Sequence, residues 1–184
     1  MSGGLKATHA PRGKRYTPSV ARYAINGGKL TVKARSTVHD TTTVWDKITG
    51  DVDASADAIE QAKATFSVDM TTFDAGDFLK NRKLRKDFDM DGNPTATFTL
   101  QRVSDVVRDG NKFTAKAEGT LRWRGKDVPL VLTGQGSLDD KTVEARATFE
   151  LDIRKLGLSA PRFFMFKMED EVTVDVSLRG GIVA

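Results

Sequence analysis

The stretch "FTAKAEGTLRW", residues 113–123, alternates apolar and polar side chains without a slip. A period of two marks a strand with one buried face and one wet face. The apolar face runs Phe113, Ala115, Ala117, Gly119, Leu121, Trp123, and three successive positions in its middle carry almost no side-chain volume. The stretch therefore sets the fold class and poses a question of volume: what occupies the space those positions leave?

The same alternation recurs on both sides. Residues 29–38 set Leu30, Val32, Ala34, Ser36 and Val38 against a polar face, and residues 64–70, 95–103, 128–138, 142–153 and 171–178 repeat the pattern. Residues 23–27 read as a short strand ending at the turn signal Asn26-Gly27-Gly28. Residues 44–52 are a weaker strand, with Val44, Ile48 and Val52 in phase and Trp45 out of phase. Only residues 74–89 break the period. Good helix formers, acidic residues in the first turn and Leu84 and Phe88 at i, i+4 predict one helix there. Many short strands around a single helical insertion predict an all-β antiparallel sandwich or barrel.

At 184 residues the chain suits one domain, over residues 22–184. Residues 1–21, rich in Gly, Pro, Ser and Thr, read as a flexible basic tail. Cysteine is absent, which removes disulfides, thiolate metal sites and thiol nucleophiles. His9 and His39 lie too far apart for a metal-ligand spacing, so neither metal nor cofactor is expected. Eight basic residues and no acidic one precede Asp40, so the net charge of +4 sits at the front and the rest of the chain is net acidic. That arm is either a solvated tail or a contact for an anionic membrane surface. No aromatic residue punctuates Lys6 to Arg15, so specific nucleic-acid binding is not expected. No apolar leader or span of ~20 apolar residues is present. The expected location is cytoplasmic, or periplasmic if a signal was removed.

Mixed charge on the polar faces, such as Lys116, Glu118 and Arg122, turns those faces to solvent. The inward face then collects Ala64, Ala96, Ala115, Ala117, Gly119, Gly134, Ala145 and Ala147. An eight-stranded barrel has an interior just large enough to be filled by its own side chains or to hold one ligand. Two readings follow: an apolar occupant completes the interior, or small residues mark places where coiled strands pack closely.

Residues 68–103, "VDMTTFDAGDFLKNRKLRKDFDMDGNPTATFTLQRV", resemble the signature of the YceI-like family, the polyisoprenoid-binding lipocalin-like proteins. The carrying residues are Leu84, Arg85, Asp87, Phe88, Pro94, Thr95, Thr97 and Phe98. "GTLRWRGKDVPLVL" (119–132), "DIRKLGL" (152–158) and "KMEDEVTVDVSL" (167–178) are similar to later parts of the same pattern. The resemblance implies a lipocalin-like barrel of about eight strands around an isoprenoid lipid or quinone, often in a homodimer. Lys83 and Asp89 depart from it, standing where many members have His and Phe.

Polyisoprene offers no charge and almost no hydrogen bonding, so small inward residues beside aromatic ones suit it. The candidate lining is Phe66, Phe98, Ala115, Ala117, Leu121, Trp123, Ala145, Ala147 and Phe149. His39 is a candidate head-group partner, for instance to a quinone carbonyl, or else an exposed loop residue. Phe163, Phe164 and Phe166, flanked by Arg162 and Lys167, lie in a connection read as too long for a tight hairpin. They would cap the barrel mouth, dip into a membrane surface, or form a short helical plug. The basic run Lys80 to Lys86 is a solvated face or a contact for a diphosphate or bilayer. The expected function is a non-enzymatic lipid carrier or sequestering protein. The alternatives are an interaction module with a packed barrel, recruiting partners through its arm and Phe-rich loop, and a hydrolase or isomerase built on His39.

Overall fold

Eight antiparallel strands close into a ring in the computed structural model, which describes residues 19–163 and 165–184. In chain order the strands are β1 (Ala21–Ser36), β2 (Thr41–Trp45), β3 (Ile48–Ala54), β4 (Lys63–Asp69), β5 (Phe73–Asp74), β6 (Thr95–Asp109), β7 (Lys112–Trp123), β8 (Lys126–Leu138), β9 (Thr142–Asp152), β10 (Arg162–Phe163) and β11 (Phe166–Ile182). The helix α1 (Phe78–Asp87) is inserted between β5 and β6. The ring runs β1-β3-β4-β6-β7-β8-β9-β11 and closes where β11 pairs with β1, Val32 opposite Val174. Closure leaves no free edge along β1 or β11. The fold class read from alternation is the one observed, with strand β1 beginning at Ala21 and residues 1–18 of the basic tail outside the described part.

Several local expectations are corrected. Asn26-Gly27-Gly28 is not a turn: β1 is one continuous strand, and its register against β11 slips between Ile25 and Gly27. The bulge moves the inward phase from Tyr23 and Ile25 to Leu30 and Val32, and a Cβ on Gly28 would stand 2.6 Å from the Ser177 carbonyl oxygen. A Gly-Gly pair serves a bulge as well as a turn, so the sequence alone does not separate them. Residues 44–52 break at Asp46-Lys47 into β2 and β3; the break resets the phase, and Trp45 is buried rather than out of place. The helix is shorter than residues 74–89. Phe73–Asp74 pairs with β2 as a strand, and α1 begins after Asp77, whose carboxylate accepts from the Lys80 backbone N–H at 2.8 Å.

The two ends of the barrel are closed differently. At one, Tyr23 and Ile59, the latter in a 3₁₀ turn over Ile59–Gln61, pack with Val52, Leu138 and Val143, and the Tyr23 hydroxyl donates to the Asp139 carbonyl at 2.7 Å. At the other, α1 and residues 88–94 lie across the opening. There the Trp123 indole donates to the Asn93 carbonyl at 2.8 Å, and the Arg124 guanidinium donates to the Phe88 carbonyl. Trp123→Phe replaces the buried indole with a smaller phenyl ring and strands that carbonyl, so it is expected to cost at least about 1–2 kcal/mol, read as a Tm lower by roughly 2–8 °C or more in a thermal melt.

Candidate functional site

The question of volume has a divided answer. A Cβ on Gly119 would overlap the Phe98 ring and stand 2.5 Å from the Thr99 carbonyl oxygen, so Phe98 already fills the place that glycine leaves. Phe113 does the same at Gly136, its ring atom 3.0 Å from where a Cβ would be. Ala115, Ala117, Gly134, Ala145 and Ala147 are different: they form one wall of an apolar cavity of about 200 Å³.

That first chamber lies under the Ile59 turn, between Val52 and Ala64 on one side and Leu132 and Leu178 on the other. A second chamber of about 160 Å³ lies toward α1, walled by Val68, Leu121, Trp123, Leu151 and Phe88. Four side chains, Phe66, Phe98, Leu130 and Phe149, line both chambers and so form the waist between them. The Phe66 and Phe98 rings are nearly parallel there, 5° apart in plane with centroids at 6.4 Å. Beneath the helix a third hollow of about 60 Å³ is walled by Leu84, Phe88 and Met168, with Thr41 and Thr43 adding hydroxyls.

The waist residues, together with Ala117, Ala145, Ala147 and Leu132, point inward yet are only half-buried, because no other side chain covers them. At ~24 cal/mol per Å³, a dry first chamber costs on the order of 5 kcal/mol and the second about 4. The whole folding free energy of a domain is ~5–15 kcal/mol. An apolar occupant recovers much of that cost.

The wall has a seam between β8 and β9. β8 and β9 pair from Gly134↔Ala147 to Leu138↔Val143 only, although β8 continues back to Lys126 and β9 on to Asp152. Pro129, which has no N–H to donate, sits in the unpaired half of β8, and Val131 beside it is 63% exposed. Gln135 and Arg146, opposite each other on the ladder and both exposed, border the first chamber beside the ladder's last rungs.

Charge stays outside. Among the described residues the only charged residue bordering either large chamber is Arg146, at the seam. The clearest electrostatic shift is peripheral: hydrogen bonds from Arg154 pull the Asp152 carboxyl down to about 2. No group of His, Cys, Asp or Glu among the described residues is placed to hold a metal ion. The two large chambers can enclose an apolar chain, and among the described residues no Asp, Glu, His or Lys lines either of them.

All nine candidate lining residues stand on chamber walls: Phe66, Phe98 and Phe149 at the waist, Ala115, Ala117, Ala145 and Ala147 in the first chamber, Leu121 and Trp123 in the second. His39 does not join them. It is exposed on the β1–β2 connection, its ring 6.4 Å from that of Phe166. Phe166 is on no chamber wall either, and the expectation of a long connection fails, since Arg162↔Lys167 and Phe163↔Phe166 pair as a tight hairpin. Phe164 and the Phe163 side chain lie outside the described part. Ile59, Val103, Leu130 and Leu132 are not among the candidates the sequence offers, although Leu130 and Leu132 follow the alternation of 128–138, and Leu100 stands in phase with Ala96 and Phe98 without being a candidate.

A family model described as the YceI-like domain matches residues 23–179. Among solved structures, Burkholderia cenocepacia BcnA superposes with a TM-score of 0.70 at 20% identity, covering 83% of this chain and 95% of that one. A polyisoprenoid-binding domain from Saccharophagus degradans, implicated in plant cell wall breakdown, gives 0.72 at 14% identity, covering 90% and 100%. The YceI protein of Campylobacter jejuni gives 0.60 at 14% identity, covering 100% and 94%. At these identities the likeness is one of fold. No curated protein matches the chain.

Proposed function

This chain belongs to the YceI-like family, and on that premise we propose that it encloses the tail of an isoprenoid lipid, a polyprenyl chain or an isoprenoid quinone, as a carrier or sequestering protein rather than an enzyme. The observation that carries the reading is the pair of apolar chambers joined at an aromatic waist. A linear, methyl-branched hydrocarbon has the shape for two widenings in line, and each CH₂ it buries contributes ~0.8 kcal/mol. A compact sterol or a bulky aromatic would fill one chamber and leave the other dry. The likeness to a polyisoprenoid-binding domain supports the same ligand class.

The test is a titration with prenyl alcohols of increasing length: geraniol, farnesol, geranylgeraniol and longer homologues. Affinity is expected to rise at least tenfold with each added unit until both chambers are filled, then to level off. Equal affinity across the series, or none, overturns the reading.

The seam between β8 and β9 is the proposed way in. The chain has no cysteine, so Gln135→Cys with Arg146→Cys creates one clean pair at directly opposed positions, whose Cα atoms are ~4.5–5.5 Å apart in an antiparallel ladder. Oxidation pins the ladder at the seam's upper edge. Release of a bound prenyl alcohol, followed by stopped flow, is expected to slow at least fivefold and to recover on reduction. Unchanged release assigns entry to an end of the barrel instead.

A further inference from the structure

The end of the barrel capped by α1 carries an apolar and cationic surface that the lipid site does not use. β2 runs away from the connection at residues 37–40, and β5, antiparallel to it, carries the chain back toward that connection, so α1 starts on the same rim. The β10–β11 hairpin shares the rim: Ser36 pairs with Met168, and the His39 and Phe166 rings are in contact. Helix spacing turns Leu84 and Phe88 inward and places Phe78, Arg82 and Lys86 on one outward stripe with Leu79 beside it. Phe78 is 75% exposed, Leu79 72% and Met165, at the hairpin tip, 93%. Two adjacent apolar side chains bare to water at the head of a helix serve neither core nor chamber.

The charges say what would cover them. Lys80 pairs with Asp77, Lys83 with Asp87 and Arg85 with Asp91. Arg82 and Lys86 are exposed and have no ion-pair partner among the described residues, and the same holds for Arg35, Arg162 and Lys167 on this rim. Against these five cations stand the exposed acids Asp40, Asp74, Asp89 and Glu169, also without an ion-pair partner among the described residues, which leaves the rim a net excess of one positive charge, with Arg82 and Lys86 both on the outward stripe of α1. Apolar side chains beside a surplus of cations are the composition of an interfacial anchor for anionic lipid. We propose that this rim, through Phe78, Leu79, Arg82 and Lys86, docks the barrel on an anionic bilayer surface. The inference rests on the lipid-carrier reading for its purpose, since an isoprenoid lipid resides in bilayers, but its test is separate.

The full chain is sedimented with isoprenoid-free vesicles of phosphatidylcholine alone and of phosphatidylcholine with phosphatidylglycerol. Binding is expected only to the anionic vesicles and is expected to weaken as salt rises. Both F78S/L79S and R82E/K86E are expected to lower the vesicle affinity at least tenfold, while a melt and farnesol binding without vesicles stay as in the parent. Four exposed positions leave the core untouched, so loss of folding is not the expected failure. Vesicle binding equal in parent and variants places attachment elsewhere, for instance on the basic tail, and overturns the proposal. So does a parent that fails to sediment, or one whose Phe78 and Leu79 prove by light scattering to hold two copies together. Loss of farnesol binding in the parent would instead undo the carrier reading and leave the docking result standing.

Discussion

Ala147→Phe is expected to lower isoprenoid affinity at least a hundredfold while the protein stays folded and melts no lower than the parent. Ala147 faces the first chamber, opposite Gly134 on β8 and Val176 on β11. Its side chain is only half-buried because it borders empty space, so a phenyl group added there enters the cavity of about 200 Å³ rather than a packed core. Filling a packed interior normally costs ~1–3 kcal/mol. Here the ring gains apolar burial of ~1.5–3 kcal/mol and removes part of a void, so the balance favours stability. The same ring occupies the space a prenyl tail needs. Calorimetric titration with farnesol and a thermal melt read the two effects in one preparation. A folded variant that binds as tightly as the parent would place the ligand elsewhere.

Gly119→Ala is expected to do the opposite, lowering stability by about 2–3 kcal/mol and Tm by roughly 5–10 °C. One methyl is enough because the new Cβ overlaps the Phe98 ring and lies 2.5 Å from a backbone oxygen, Thr99 O, which has nowhere to retreat within a paired strand. Phe98→Leu in the same chain is expected to recover only part of the loss, since it relieves the ring contact and leaves the backbone one. Full recovery would mean that the ring alone dictates glycine. The pair of variants thus tests why neighbouring small residues on one strand face have different origins: Gly119 is small for Phe98, whereas Ala115 and Ala117 are small for the chamber.

That distinction was invisible in the alternation of residues 113–123, and it marks the limit of what pattern conveys. Period two is a local property, so strands β7, β9 and β11 and their inward faces are legible, and with them part of the chamber lining, Ala115, Ala117, Ala145, Ala147 and Phe149 among them. Where phase resets, the pattern misleads. The slip at Ile25/Gly27 and the break at Asp46-Lys47 each add or skip a residue, and Trp45 looks misplaced until the break is known. Ile59 closes one end from a 3₁₀ turn too short to show a period. His39 was named for its chemistry, but its position is set by the β1–β2 connection, which keeps it outside the barrel. Pro129 was the one sequence signal of the seam, a residue without an N–H in a strand that is unpaired on one side, and its meaning depends on knowing that β9 should lie beside it.

The central claim is that the barrel is finished by a prenyl chain its own side chains do not replace. The most direct measurement is native mass spectrometry of the purified chain, before and after exchange with a long polyprenol, beside Ala147→Phe. The account predicts one apolar molecule per chain, fragmenting in five-carbon isoprene steps after organic extraction, and an empty variant. A parent chain that is always recovered empty and refuses the added polyprenol would contradict it.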